Sequence, residues 1–140
     1  MSSNKPLHPM LPVLGTTVVL THTLIALLHG MAHSGLGVEL STLQTTYAAV
    51  VIVVSPAIAA ALLWTRHARL GLTLLAISLA GSLFFGLYYH YVAISPDHVA
   101  HLPPGPQQGR FQLTAALLAI SELFGVIVAL WGGHRVDEKA

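Results

Sequence analysis

A chain of 140 residues that is 54% hydrophobic and only 8% charged has too little polar surface to solvate a water-soluble domain, so its composition points to a bilayer. A formal net charge of +1 gives no electrostatic footprint for a nucleic-acid partner. Cysteine is absent, which excludes disulfides, thiolate metal sites, iron–sulfur clusters and cysteine nucleophiles together; any metal must be held by nitrogen and oxygen.

Residues 1–10, MSSNKPLHPM, have little periodicity and read as a polar lead. Lys5 ahead of an apolar run has the outline of a signal peptide, yet the run continues past His22 and His29 to about residue 33, too long and too polar for a cleavable segment. A retained first span over about 11–33 is expected. His22 and His29 stand at i,i+7 and His29 and His33 at i,i+4, so all three leave one face of that helix. Leu20, Leu24, Leu27 and Leu28 belong to the rest of its surface, which suits lipid. Ser34 and Gly35 predict the helix stop, and SGLGVEL a tight connector.

Ser41 with Gln44 three residues later predicts a capping box at the start of a second span, about 42–64. Pro56 inside it predicts a kink, with Ser55 placed to bond a freed carbonyl. Residues 65–69, TRHAR, are long enough only for a hairpin. The third span, about 70–94, ends in Tyr88, Tyr89 and Tyr91, which suit a membrane–water interface, and His90 follows Ser78, Ser82 and Gly86 at i,i+4 steps. In the connector 95–110, Pro103, Pro104 and Pro106 forbid helix in the second half, whereas Ser95, Pro96 and Asp97 read as an ordinary helix start. The fourth span covers about 111–132 and carries Glu122 on a face shared with Ala115, Ala119, Gly125 and Ala129; residues 133–140 form a polar tail.

Each span is long enough, at about 1.5 Å per residue, to cross an apolar layer of about 30 Å. The expected fold is therefore all-α: one domain over 1–140, an integral membrane bundle of four transmembrane helices running up-down-up-down. Lys5, Arg66, Arg69, Arg135 and Lys139 fall on one side of such a bundle and Arg110 alone on the other, which predicts cytoplasmic termini and outward connectors. The matching location is the inner membrane of a bacterium, multi-pass, with the connectors in the periplasm.

His29 and His90 each lie about four residues, roughly 6 Å, inside the outward ends of their spans. His33, Asp97, His98 and His101 fall at or just beyond that level. One buried histidine would read as hydrogen-bonding glue between helices, but ionisable groups inside spans are costly and a cluster of them reads as function. The expected metal site comprises His29, His33, His90, Asp97, His98 and His101. His29 and His33 are spaced as paired histidines are on zinc-protein helices, and Asp97 with His101 repeats the i,i+4 step on a short helix. Imidazole and carboxylate without thiolate suit copper, iron or zinc, in a redox or metal-handling subunit. The same matched depth admits a second reading, a b-type haem with His29 or His33 and His90 as axial ligands. Deeper in, His22 and Glu122 fall at the midplane and are expected to face each other as a coupled pair. They form a proton relay or second site, and with the kink at Pro56 they support a third reading, a small proton-coupled carrier or channel element. His8, His67 and His134 lie beside basic residues and read as interfacial. No serine or threonine has an identifiable base and orienter, so nucleophilic hydrolysis has no support. The expected partners are the lipid bilayer and, for so small a chain with a cofactor-like site, other membrane subunits or further copies of itself.

Overall fold

A computed structural model describes residues 10–137; the 1–9 lead and residues 138–140, and with them Lys5, His8 and Lys139, lie outside the described residues. Among the described residues four helices are long and apolar enough to cross a membrane: Met10–Leu36, Thr42–Leu63, Ala68–Val92 and Gln108–Val136, the first to fourth spans below. The first and fourth run several residues beyond the limits that the sequence predicts.

The first span overruns because its stop is Gly37 rather than Ser34 and Gly35. Gly37 has φ 64°, a left-handed conformation in which a Cβ would clash with its own backbone. Its N–H bonds the Ser34 carbonyl at 3.3 Å and the next N–H, that of Val38, bonds the His33 carbonyl at 3.1 Å, the reciprocal pair that closes a helix on a glycine. Ser34, still helical, turns its hydroxyl back to the Gly30 carbonyl.

The second span begins with the capping box that the sequence predicts: Gln44 N–H donates to the Ser41 hydroxyl and Ser41 N–H to the Gln44 side chain. Its middle, Ala48–Val54, is wound as a π-helix, and α-helix resumes over Ser55–Leu63. Pro56 accounts for this. It has no N–H to give the Ile52 carbonyl four residues earlier, and its ring crowds that oxygen. Wider winding accommodates the ring, and both the N–H and the hydroxyl of Ser55 bond the Val50 carbonyl.

The third span also finishes π-wound, over Tyr88–Val92, before Ala93 turns extended. The short helix expected after Pro96 does not form. His98 N–H bonds the Ser95 carbonyl and His101 N–H the His98 carbonyl, both i→i+3 turns, while Val99 N–H is drawn back to the His90 carbonyl at 3.0 Å. That last bond folds the segment across the end of the third span and prevents an i→i+4 ladder.

Leu11, Leu72 and Gly132 meet at one end of the bundle, Val18, Leu79 and Gly125 midway, and His29, His90 and Thr114 at the other. Each span packs on the next and the fourth packs on the first, which leaves the first and third diagonal to each other. Val18, Ala59, Leu63, Leu75, Leu79 and Val128 form the buried core. Outward faces carry exposed Leu20, Leu24, Phe84, Ile120 and Ile127, a surface that only an apolar solvent would wet favourably. Glycine lets the spans approach closely: a Cβ on Gly125 would run into Leu79 and Val18.

Candidate metal centre

Three imidazoles converge at the end that holds the 37–41 and 93–107 connectors. His29 and His33 come from consecutive turns of the first span and His90 from the π-wound end of the third, across the diagonal. Ring centroids are 4.8 Å apart for His29 and His33, 4.8 Å for His29 and His90, and 6.1 Å for His33 and His90. One ligand nitrogen from each lies within 4.8 Å of the other two. The three histidines and Asp97 are between 5% and 8% exposed.

The second nitrogen of each ring is already committed, and its partner fixes where the ring proton lies. His90 Nδ1 is 3.1 Å from the Asp97 carbonyl and His33 Nδ1 is 3.3 Å from the Val38 carbonyl. A carbonyl can only accept, so both Nδ1 atoms carry the proton. His29 Nδ1 is 2.9 Å from the Thr114 hydroxyl, whose single proton points to the Arg110 carbonyl at 2.7 Å; the hydroxyl therefore accepts, and His29 Nδ1 donates. With the tautomers assigned from these partners, all three neutral imidazoles present a bare Nε2. His29 Nε2 and His90 Nε2 face each other at 3.2 Å.

Asp97 brings a carboxylate to the same point. Its Oδ1 lies 3.2 Å from His33 Nε2 and 3.3 Å from His90 Nδ1, and neither carboxylate oxygen makes a hydrogen bond of good geometry. Burial pushes this carboxyl up, but the His90 N–H beside it, with His33 and His29 behind, outweighs burial and holds it below its ordinary value of 3.8. The fully buried Phe111 packs on all three imidazoles, at centroid distances of 4.5, 4.7 and 5.4 Å to His29, His33 and His90. An apolar wall so placed keeps water off one side of the cluster. On another side His33 borders an open cleft of about 520 Å³, lined also by Gly30, Ser34, Gly37 and Glu39. No family model, curated protein or solved structure matches this chain.

Of the residues expected at this site, the fold brings together His29, His33, His90 and Asp97. It leaves out His98 and His101. Without the short helix, Asp97 turns inward and His101 loses its i,i+4 relation to it; His98 accepts from Ala100 N–H and pairs with His101 at 3.1 Å between their Nδ1 atoms, toward solvent. His22 and Glu122 do meet, with Nδ1 and Oε1 3.8 Å apart. The sequence reading did not find Thr114, Phe111 or the Val38 carbonyl. The only trace of them in the sequence is a threonine at the depth of His29 on the fourth span, which does not stand out by itself.

Proposed function

We propose that this protein is a membrane-embedded metal-binding bundle, holding one divalent transition-metal ion on the Nε2 atoms of His29, His33 and His90 with the Asp97 carboxylate as fourth donor. One observation carries this reading: acceptors face acceptors. His29 Nε2 meets His90 Nε2 at 3.2 Å, and His33 Nε2 meets Asp97 Oδ1 at 3.2 Å. Two atoms bonded at 2.0–2.1 Å to a tetrahedral ion lie about 3.3 Å apart, close to both separations. A proton would close the His33–Asp97 gap without net charge, but one between His29 and His90 would put an imidazolium into a buried site. A single divalent ion satisfies all four acceptors. The Nδ1–H bonds to Thr114, Val38 and Asp97 are the outer contacts that metal-bound histidines use to hold tautomer and ring orientation.

Imidazole and carboxylate donors suit zinc, copper or iron. A bis-histidine haem needs its two axial nitrogens about 4 Å apart, twice a metal–nitrogen bond, with open space for the macrocycle between them. Phe111 and the His33 ring lie against that space, which supports an ion over haem. The cleft beside His33, with Glu39 on its wall, is the route by which an ion arrives. In a bilayer this end faces away from Arg66, Arg69 and Arg135, outward by the distribution of positive charge, and the role is metal handling in a bacterial inner membrane.

Protein purified in detergent, stripped with a chelator and reloaded, is expected to take up one ion per chain by elemental analysis. Cobalt(II) loading should give the intense visible absorption of a tetrahedral ion. His29→Ala and His90→Ala should abolish both. A haem Soret band in the protein as purified, or uptake unchanged in the double variant, would overturn the reading.

A further inference from the structure

A second polar cluster lies about 10 Å along the first span from His29, seven residues toward the chain ends. His22 is 0% exposed and Glu122 3%. His22 Nε2 is 3.1 Å from the Ile52 carbonyl, which can only accept, so Nε2 carries the ring proton and the neutral ring is left with a bare Nδ1. That Nδ1 has no hydrogen-bond partner and lies 3.8 Å from Glu122 Oε1. The Ser82 hydroxyl, from the third span, donates to the same Oε1. Each of the four spans supplies one part of this arrangement.

The Ile52 carbonyl is the one to which Pro56 cannot donate, and His22 gives it a donor. The tautomer of His22 is thereby set by the covalent structure of the second span. A carboxyl beside a bare imidazole nitrogen, sealed from water, has two arrangements without net charge: carboxylic acid with neutral imidazole, and carboxylate with imidazolium. Both contain one proton more than carboxylate with neutral imidazole. Any other count leaves a lone charge in the apolar layer, which that layer penalises.

We propose that His22, Glu122 and Ser82 form a one-proton binding site at the middle of the bundle. The proton moves between them as the Glu122 O–H bond breaks and the His22 Nδ1–H bond forms, and the pair takes up and releases it as a unit. Ser82 holds the carboxyl group in place. Few other titratable groups face this depth. On the first span the nearest is His29; on the second it is Tyr47, whose hydroxyl lies over Gly81; on the third Tyr88 and Tyr89 come six and seven residues beyond Ser82, and the buried His90 eight. On the fourth, Glu122 is the sole titratable residue between Arg110 and His134. The site uses none of the metal donors and goes beyond metal binding.

The test is a pH titration of metal-free protein in lipid nanodiscs by difference infrared spectroscopy, with metal uptake measured on the same preparations. A carboxylic acid carbonyl band is expected that Glu122→Gln removes and Glu122→Asp, the fallback where the glutamine variant misfolds, moves in frequency. His22→Gln should move its midpoint by at least about one pH unit, the mark of a coupled pair. Ser82→Ala should change the band's frequency and leave it titrating. A midpoint the same in His22→Gln as in wild type, or no titrating band from Glu122 between about pH 4 and 9, would overturn the proposal. A normal titration in a protein that takes up no metal would sink the metal reading and leave this one standing.

Discussion

Thr114 has one hydroxyl proton and gives it to the Arg110 carbonyl, which is why it can only accept from His29. Thr114→Val keeps the shape and deletes the acceptor, so His29 is free to rotate or change tautomer. Metal affinity is expected to fall about 10–100-fold, by competition against a chromophoric chelator, with Thr114→Ser retaining most of it. Asp97 makes a different prediction. Its carboxyl is held below 3.8 in the folded protein, so over that interval the unfolded chain binds a proton that the folded chain does not. The stabilisation is present above the ordinary value and lost as pH falls through the folded one. Asp97→Asn should lower the thermal midpoint of the metal-free protein near neutral pH and flatten its decline in acid. His29, His33 and His90 were legible from helical period and matched depth. Thr114 was not, because its partner stands 85 residues away and a threonine near a span end is unremarkable by itself.

Among the elements, the turn at Gly37 has the most direct consequence for the site. It returns the chain so that the Val38 carbonyl receives His33 Nδ1, and thereby aims Nε2 at Asp97. A Cβ at Gly37 would meet no other atom, yet φ 64° is costly for any residue that has one, by about 1–2 kcal/mol. Gly37→Ala is expected to lose about that much stability in thermal unfolding and to weaken metal binding, and Gly37→Asn to lose less. The sequence placed four spans within a few residues because apolar length and hairpin composition are strong signals. It carried no mark of the two π-helical stretches: Pro56 announced a disturbance but not its form, and nothing in YYHYV distinguishes a π-turn from an α-turn. The misjudged helix after Ser95 has a tertiary cause, since Val99 N–H goes to His90 rather than into a local ladder.

For the molecule as a whole, the ends of the first and fourth spans share one end of the bundle, where Leu11 and Gly132 meet beside Leu72. Among the described residues Arg66, Arg69 and Arg135 belong to that end and Arg110 to the other. The charge rule then predicts cytoplasmic termini. Reporter domains fused after residue 140 should be active only in the cytoplasm, and one inserted at Gly105 only outside it; the reverse pattern would also invert the side on which the metal centre opens.

His29 and His33 on one side and His90 on the other come from diagonal spans, which meet in the core but lack the extended packing of neighbouring spans. Four rods joined mainly along their edges make a frame that can shear. A tie across one diagonal turns that frame into two triangles, which cannot. An ion shared by His29, His33 and His90 is such a tie, set at one end only. A protein loaded in this way would be stiffer at the end that holds the three histidines than at the end where Leu11 and Gly132 meet.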